Sequence, residues 1–180
     1  TYTDFKNIKV LEENSENITV FLNGNKVTFN TEAGSDGCLI VKSVTDASGN
    51  LEIYSVEGLR DLATAVNGGN SYSGKTVKLM TDLDLNNEEW VPIGTETNSF
   101  KGNFDGQEKT ISNLKIESTE EYIGLFGYTI GGSIKNLVIE NANVKGTYYV
   151  AAVAGCAFTT PTSDITIKGD IYIEGSGQDI

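Results

Sequence analysis

Residues 111–116 read Ile111-Ser-Asn113-Leu114-Lys-Ile116, and residues 134–139 read Ile134-Lys-Asn136-Leu137-Val-Ile139, one Ile-x-Asn-Leu-x-Ile pattern that starts at 111 and again at 134. Apolar residues at alternate positions put one face of a strand inward and the other outward. Looser copies lie on either side: Val77-Lys-Leu79 with Leu83-Asp-Leu85 upstream, and Ile165-Thr-Ile167 with Ile171-Tyr-Ile173 downstream. A unit of about 23 to 32 residues cannot bury its own apolar face, so neighbouring units must stack to make a shared core. Strands stacked in this way predict an all-β fold, a parallel β-helix. Asn113 and Asn136 hold the same place in the pattern, which predicts a ladder of these two amides completing the hydrogen bonds of bent backbone.

Between the strand pairs lie corners of small residues, Tyr122-Ile-Gly124-Leu-Phe-Gly127 and Tyr149-Val-Ala-Ala152-Val-Ala-Gly155. Glycine suits such corners because the chain turns sharply there and stacked coils leave little room for a Cβ atom. Upstream of the repeats, Leu59, Leu62, Ala63 and Val66 fall at helical spacing, with Ser55 as a cap before them and Gly68 and Gly69 after. This predicts a capping helix over residues 56–66, weakened by Gly58 in its first turn. Further upstream, Val20 and Leu22 face Val27 and Phe29 across Asn23, Gly24 and Asn25, a hairpin signal, and a third strand covers Cys38 to Val44. The chain therefore divides into a small antiparallel β unit or cap over 1–50 and a repeat region over 51–180.

Composition narrows the function. Thirteen basic residues against 25 acidic ones give a net charge of −12, the wrong sign for a phosphate backbone, so no nucleic acid partner is expected. The chain has no histidine, which removes Ser-His-Asp and Cys-His nucleophile chemistry and the commonest transition-metal ligand. The longest apolar run, from Tyr148 to Phe158, contains a glycine and falls well short of the roughly 20 residues of a spanning helix, so no membrane span is expected. The opening TYTDFKNIK has no apolar segment behind a basic start, so any secretory signal is absent from this chain. Cys38 and Cys156 form neither a CxxC motif nor a close-spaced zinc pair, and read first as buried thiols, with a bridge left open.

The stretch from Leu59 through Gly155, including LRDLATAVN, TVKLMTDLDL, WVPIG, FKGNFDGQEKTISNLKI, YIGLFG and IKNLVIENANVKG, resembles the repeat region of bacterial surface proteins carrying the GLUG motif (Gly-Leu-x-Gly). Gly124-Leu125-Phe126-Gly127 matches the motif, whereas Ala152-Val153-Ala154-Gly155 departs from it at the first glycine and the leucine. The resemblance implies a right-handed parallel β-helix in a secreted or cell-surface, adhesin-like protein. It also implies a non-enzymatic role in cell adhesion, binding a host glycan or protein. The alternatives are a carbohydrate-active enzyme domain of the polysaccharide lyase or glycoside hydrolase type, and a purely structural stalk.

Candidate residues follow from chemistry. Asp82, Asp84 and Asn86 alternate with leucines and offer oxygen ligands to calcium as a cofactor; Asn87 and Ile93 stand where an EF-hand needs Gly and Glu, so that loop is excluded. Asp82, Asp84, Asp105, Glu117, Glu120 and Glu121 are the carboxylates an enzyme would draw on, though Asp105-Gly106 reads first as a turn and Arg60 as a surface partner of Asp61 or Glu57. Aromatic rings suit sugar faces, and Tyr72, Trp90, Phe100, Tyr122, Tyr128, Tyr148 and Tyr149 lie near corners. Trp90 and Phe100 read as packing residues, which leaves Tyr148, Tyr149, Tyr122 and Tyr128 as binding candidates. Adjacent Tyr148 and Tyr149 cannot both face inward. The last strands, ending IYIEGSGQDI, lack an amphipathic cap, so end-to-end association or further C-terminal repeats are expected to cover them.

Overall fold

The computed structural model describes residues 9–13, 17–22, 25–33 and 39–177. Strands β1 (Lys9–Glu13), β2 (Asn17–Leu22), β3 (Asn25–Ala33) and β4 (Leu39–Thr45) pair antiparallel in sequence, and β5 (Leu51–Ile53) extends the same sheet antiparallel to β4. Val20 pairs with Val27, and together with Val44 they form a small core of their own. The Asn23-Gly24 turn and Cys38 lie outside the described residues. Helix α1 (Val56–Asn67) starts where the Ser55 hydroxyl accepts the Gly58 N–H at 3.1 Å, and it buries Leu59, Leu62, Ala63 and Val66.

From β5 onward the pairing becomes parallel, through β6 (Thr76–Leu79), β7 (Leu83–Asp84), β8 (Asn103–Glu117), β9 (Phe126–Ile130), β10 (Ser133–Gly146), β11 (Ala154–Phe158) and β12 (Thr162–Gly175). The main sheet runs β1-β2-β3-β4-β5-β6-β8-β10-β12 with β7 against β8, and β9 and β11 form a second, smaller sheet. Parallel neighbours need a crossover between them, and here each crossover is the rest of a coil. The result is a parallel β-solenoid of about four turns. Its interior is built of columns: Val77, Phe104 and Ile134; Leu83, Ile111 and Ile139; Ile93, Phe126 and Ala154. Phe126 meets Phe100 at 5.4 Å and Phe104 at 5.2 Å, edge on to the latter, and Trp90 lies buried beside them with its indole N–H donating to the Leu125 carbonyl at 3.1 Å.

The spacing between the two hexapeptides is not the coil repeat. Ile139, not Ile134, stands over Ile111, and Ile134 stands over Phe104. The shared hexapeptide is instead the local pattern of a corner, strand then left-handed asparagine then strand, and β10 turns two such corners in quick succession, at Asn136 (φ 53°) and Asn141 (φ 55°). Residues 111–116 turn the second kind of corner and residues 134–139 the first, so the motif recurs one corner short of a full turn.

The asparagine ladder is corrected accordingly. Asn113 and Asn136 do not stack on each other. The Asn113 amide donates to Asp84 at 2.8 Å, the Asn141 amide donates to Asn113 at 3.3 Å, and Asn141 in turn accepts the Asp170 N–H at 2.9 Å. Asn136 belongs to a separate ladder and donates to Asp105 at 2.9 Å. Arg60 is also placed differently from expectation: it bonds Glu88 at 2.9 Å and lies over the Trp90 ring, while Asp61 pairs with Lys42. Its long side chain reaches across to the next coil rather than along its own helix.

Candidate functional site

The corner between β8 and β9 and the one between β10 and β11 each place a tyrosine in the left-handed backbone region, Tyr122 at φ 60° and Tyr149 at φ 56°. A bulky side chain rarely adopts this conformation, and such strain concentrates at functional positions. Tyr122 N–H donates to the Tyr148 carbonyl and Ile123 N–H to the Tyr149 carbonyl, so the two corners stack one coil above the other. Their rings stack as well, with centroids 4.8 Å apart and planes 7° from parallel. Tyr128, from β9, meets Tyr122 edge on at 4.9 Å and 76°. Three of the four candidate tyrosines thus form one two-walled aromatic corner, and Tyr149 presents it to solvent at 60% exposure.

Tyr148 lies elsewhere. It is half-buried, and its ring packs so closely over Gly177 that a Cβ there would overlap it. Of the other aromatics, Trp90 and Phe100 are buried in the core, and Tyr72 is half-buried. The Tyr128 hydroxyl hydrogen-bonds Cys156, and that bond, followed by loss of water contact, raises its pKa above the ordinary tyrosine value. Loss of water contact, and then the charge of Glu96, raises Tyr122 in the same direction. Cys156 is half-buried at this place, one coil above Tyr128 in the β9–β11 register.

Beside the corner runs a groove of about 700 Å³, within the size range of ligand sites. Its apolar part comes from Trp90, Val91, Pro92, Ile116 and Ile123, and Tyr122 belongs to both groove and stack. Its polar rim carries exposed carboxylates, Glu89, Glu96, Glu117, Glu120 and Glu121. Glu117, Glu120 and Glu121 were legible as candidate acids. Glu89 and Glu96 were not, because only stacking of the 89–96 segment under the next coil brings them to the rim.

The remaining carboxylates serve the backbone. Asp82 accepts the Thr110 N–H at 2.8 Å, and Asp84 accepts the Asn86 N–H at 2.8 Å besides the Asn113 amide. Asp105, 7% exposed, accepts the Gln107 N–H at 3.0 Å and pairs with Lys135 at 3.4 Å. Asn86 itself turns the chain at φ 53°. Among the described residues, no group of three or more Asp, Glu, Cys or His side chains stands where it could hold a metal ion, and no helix is long and apolar enough to cross a membrane.

Over 139 aligned residues the chain is 30% identical to the halomucin of Haloquadratum walsbyi, a match that covers 68% of this chain and spans only 2% of that protein's length. No family model matches the chain. No solved structure matches it either.

Proposed function

We propose that this solenoid is a non-enzymatic module of a secreted or cell-surface protein, adhesin-like in the manner of the GLUG-motif proteins, and that it binds glycan at the Tyr122–Tyr128–Tyr149 corner. The observation that carries this reading is the stacked, solvent-facing Tyr122–Tyr149 pair, held in strained backbone beside a groove. Flat aromatic faces complement the apolar face of a sugar ring, and a buried packing role would not need Tyr149 to stand exposed. The likeness to a halomucin supports an extracellular setting.

A glycan-array screen of the wild type with Tyr149→Ala and Tyr148→Ala variants tests the site. Binding lost in Tyr149→Ala and kept in Tyr148→Ala is expected; equal binding by all three proteins would contradict it. The glutamates on the groove are what a glycoside hydrolase would use. All five are exposed, whereas a general acid sits where burial or a second carboxylate keeps it protonated. Bound oligosaccharide is therefore expected to be recovered intact after long incubation, and release of new reducing ends would favour the enzymatic reading.

Strand β12 continues the interior columns from Ile139, Ala142 and Val144 to Ile167, Ile171 and Ile173, all three exposed along this edge, while Tyr172 alternates with them on the outer face. A second copy of the chain stacked on this edge would cover it. Sedimentation velocity on the 180-residue chain is expected to show association that Ile171→Lys weakens. A monomer at every concentration would exclude the second copy.

A further inference from the structure

The charge around the aromatic corner is one-sided. Glu96 lies close enough to act electrostatically on both Tyr122 and Tyr128, and Glu121 on Tyr122. The described groove lining contains five glutamates and neither lysine nor arginine. The cations beside the groove leave this corner uncompensated: Lys115 is paired with Glu89 on the rim at 3.5 Å, Arg60 with Glu88 while covering Trp90, and Lys145 lies in the adjoining hollow beside Glu117 and Glu120. Among the described residues, no such partner is seen for Glu96 or Glu121. Aromatic faces are themselves negative and attract a cation set over them, so rings and carboxylates favour the same kind of ligand. The stacked tyrosines make the site, and the glutamates set its charge preference.

We infer that the corner of Tyr122, Tyr128 and Tyr149, flanked by Glu96 and Glu121, selects saccharides bearing free, protonated amino groups over N-acetylated or acidic ones. This rests on the glycan reading above and names its ligand class. A protonated amine on a sugar stacked against Tyr149 and Tyr122 comes over a ring face and within the field of the two carboxylates. An acetamido group at the same place is neutral and gains none of that attraction. A uronate at the same place is repelled by Glu96 and Glu121, and the lysine on the rim, Lys115, is already paired with Glu89.

Calorimetric titration at about pH 5.5, above the ordinary glutamate range, with three tetrasaccharides tests the inference: the β-1,4-glucosamine tetramer, its fully N-acetylated form and a galacturonate tetramer. The glucosamine form is expected to bind at least about tenfold more tightly than the N-acetylated form, and the galacturonate form not to bind. The preference should shrink as salt rises, because screening shortens to about 3 Å at 1 M. A Glu96→Gln/Glu121→Gln variant should bind the first two forms equally, whereas a Glu57→Gln control on the helix should match the wild type. Equal binding of the amino and N-acetylated forms by the wild type, or a preference that survives in the double variant, overturns the inference and leaves glycan binding standing. Failure of the wild type to bind any of the three overturns the inference, and silence across the glycan array as well would remove the glycan reading itself.

Discussion

At the scale of single residues, three kinds of position hold the coil corners, and only one of them needs glycine. The left-handed corners at Asn113, Asn136 and Asn141 use asparagine, whose side chain tolerates that backbone and passes a hydrogen bond to the next coil. Gly127 is required for closeness instead: a Cβ there would stand 2.4 Å from the Gly94 carbonyl oxygen. The sequence marked the glycine stretches as corners but read Asn113 and Asn136 as a ladder within strands and did not single out Asn141, since a one-dimensional pattern does not show where the chain bends around the next coil. Tyr149 is a third case. Its left-handed backbone costs about 1–3 kcal/mol, and its stacked ring returns about 0.5–1.5 kcal/mol. Tyr149→Asn, which relieves the first and loses the second, is therefore expected to change thermal stability by no more than about 2.5 kcal/mol while abolishing glycan binding. A much larger loss of stability would make the tyrosine structural. Asp105 gives a pH prediction. Burial alone would raise its carboxyl, but hydrogen bonds from the Asn136 amide and from Gln107, with the Lys135 charge, outweigh it and hold the pKa below the ordinary aspartate value. Asp84 is lowered too, chiefly by the Asn113 amide. A carboxyl depressed in the folded state contributes stability that is fully present above the ordinary value of about 3.9 and is lost as pH falls through the folded value. Thermal unfolding of an Asp84→Asn/Asp105→Asn variant should accordingly lose less stability below about pH 4 than the wild type; parallel pH curves would show that the ladders do not depend on the charge.

At the scale of elements, the alternation of apolar residues was enough to read strands, and the spacing of Leu59, Leu62, Ala63 and Val66 was enough to read a helix, because both signals are local. Register was not legible, because the corner motif occurs twice in a coil: the nearest copy of the hexapeptide begins at Ile134, while the residue stacked on Ile111 is Ile139. Gly58 shows the same limit on the helix. Propensity alone makes it a weakness, worth about 1 kcal/mol against alanine. In the fold, a Cβ at residue 58 would lie 2.3 Å from the Lys42 backbone oxygen, the atom that accepts the Tyr54 N–H, so the glycine lets α1 sit against β4. Overpacking against backbone typically costs about 1–3 kcal/mol. Gly58→Ala is thus expected to lower the denaturation midpoint, and a raised midpoint would mean that propensity outweighs contact here.

At the scale of the whole molecule, the site is a product of stacking. Tyr122 and Tyr149 are far apart in sequence, with all of β9 and β10 between them, and become neighbours only because one coil lies on the next. All four candidate tyrosines could be picked out as aromatics near corners, but which three would meet depended on a register that no single coil contains. The net charge of −12 was legible from composition; its concentration around the groove came from bringing the 89–96 and 117–122 segments side by side. The parallel stacking in that register is therefore the claim from which the core columns, the ladders and the aromatic corner all follow. Its most direct test is disulfide trapping in a Cys38→Ser/Cys156→Ser background. Lys115→Cys paired with Asn143→Cys, which are direct partners on β8 and β10, is expected to form an intramolecular disulfide rapidly under mild oxidation. Lys115→Cys paired with Val138→Cys, the partner that the hexapeptide spacing would require, is expected to remain reduced. The reverse result, or trapping of neither pair in folded protein, would contradict the stacked-coil account.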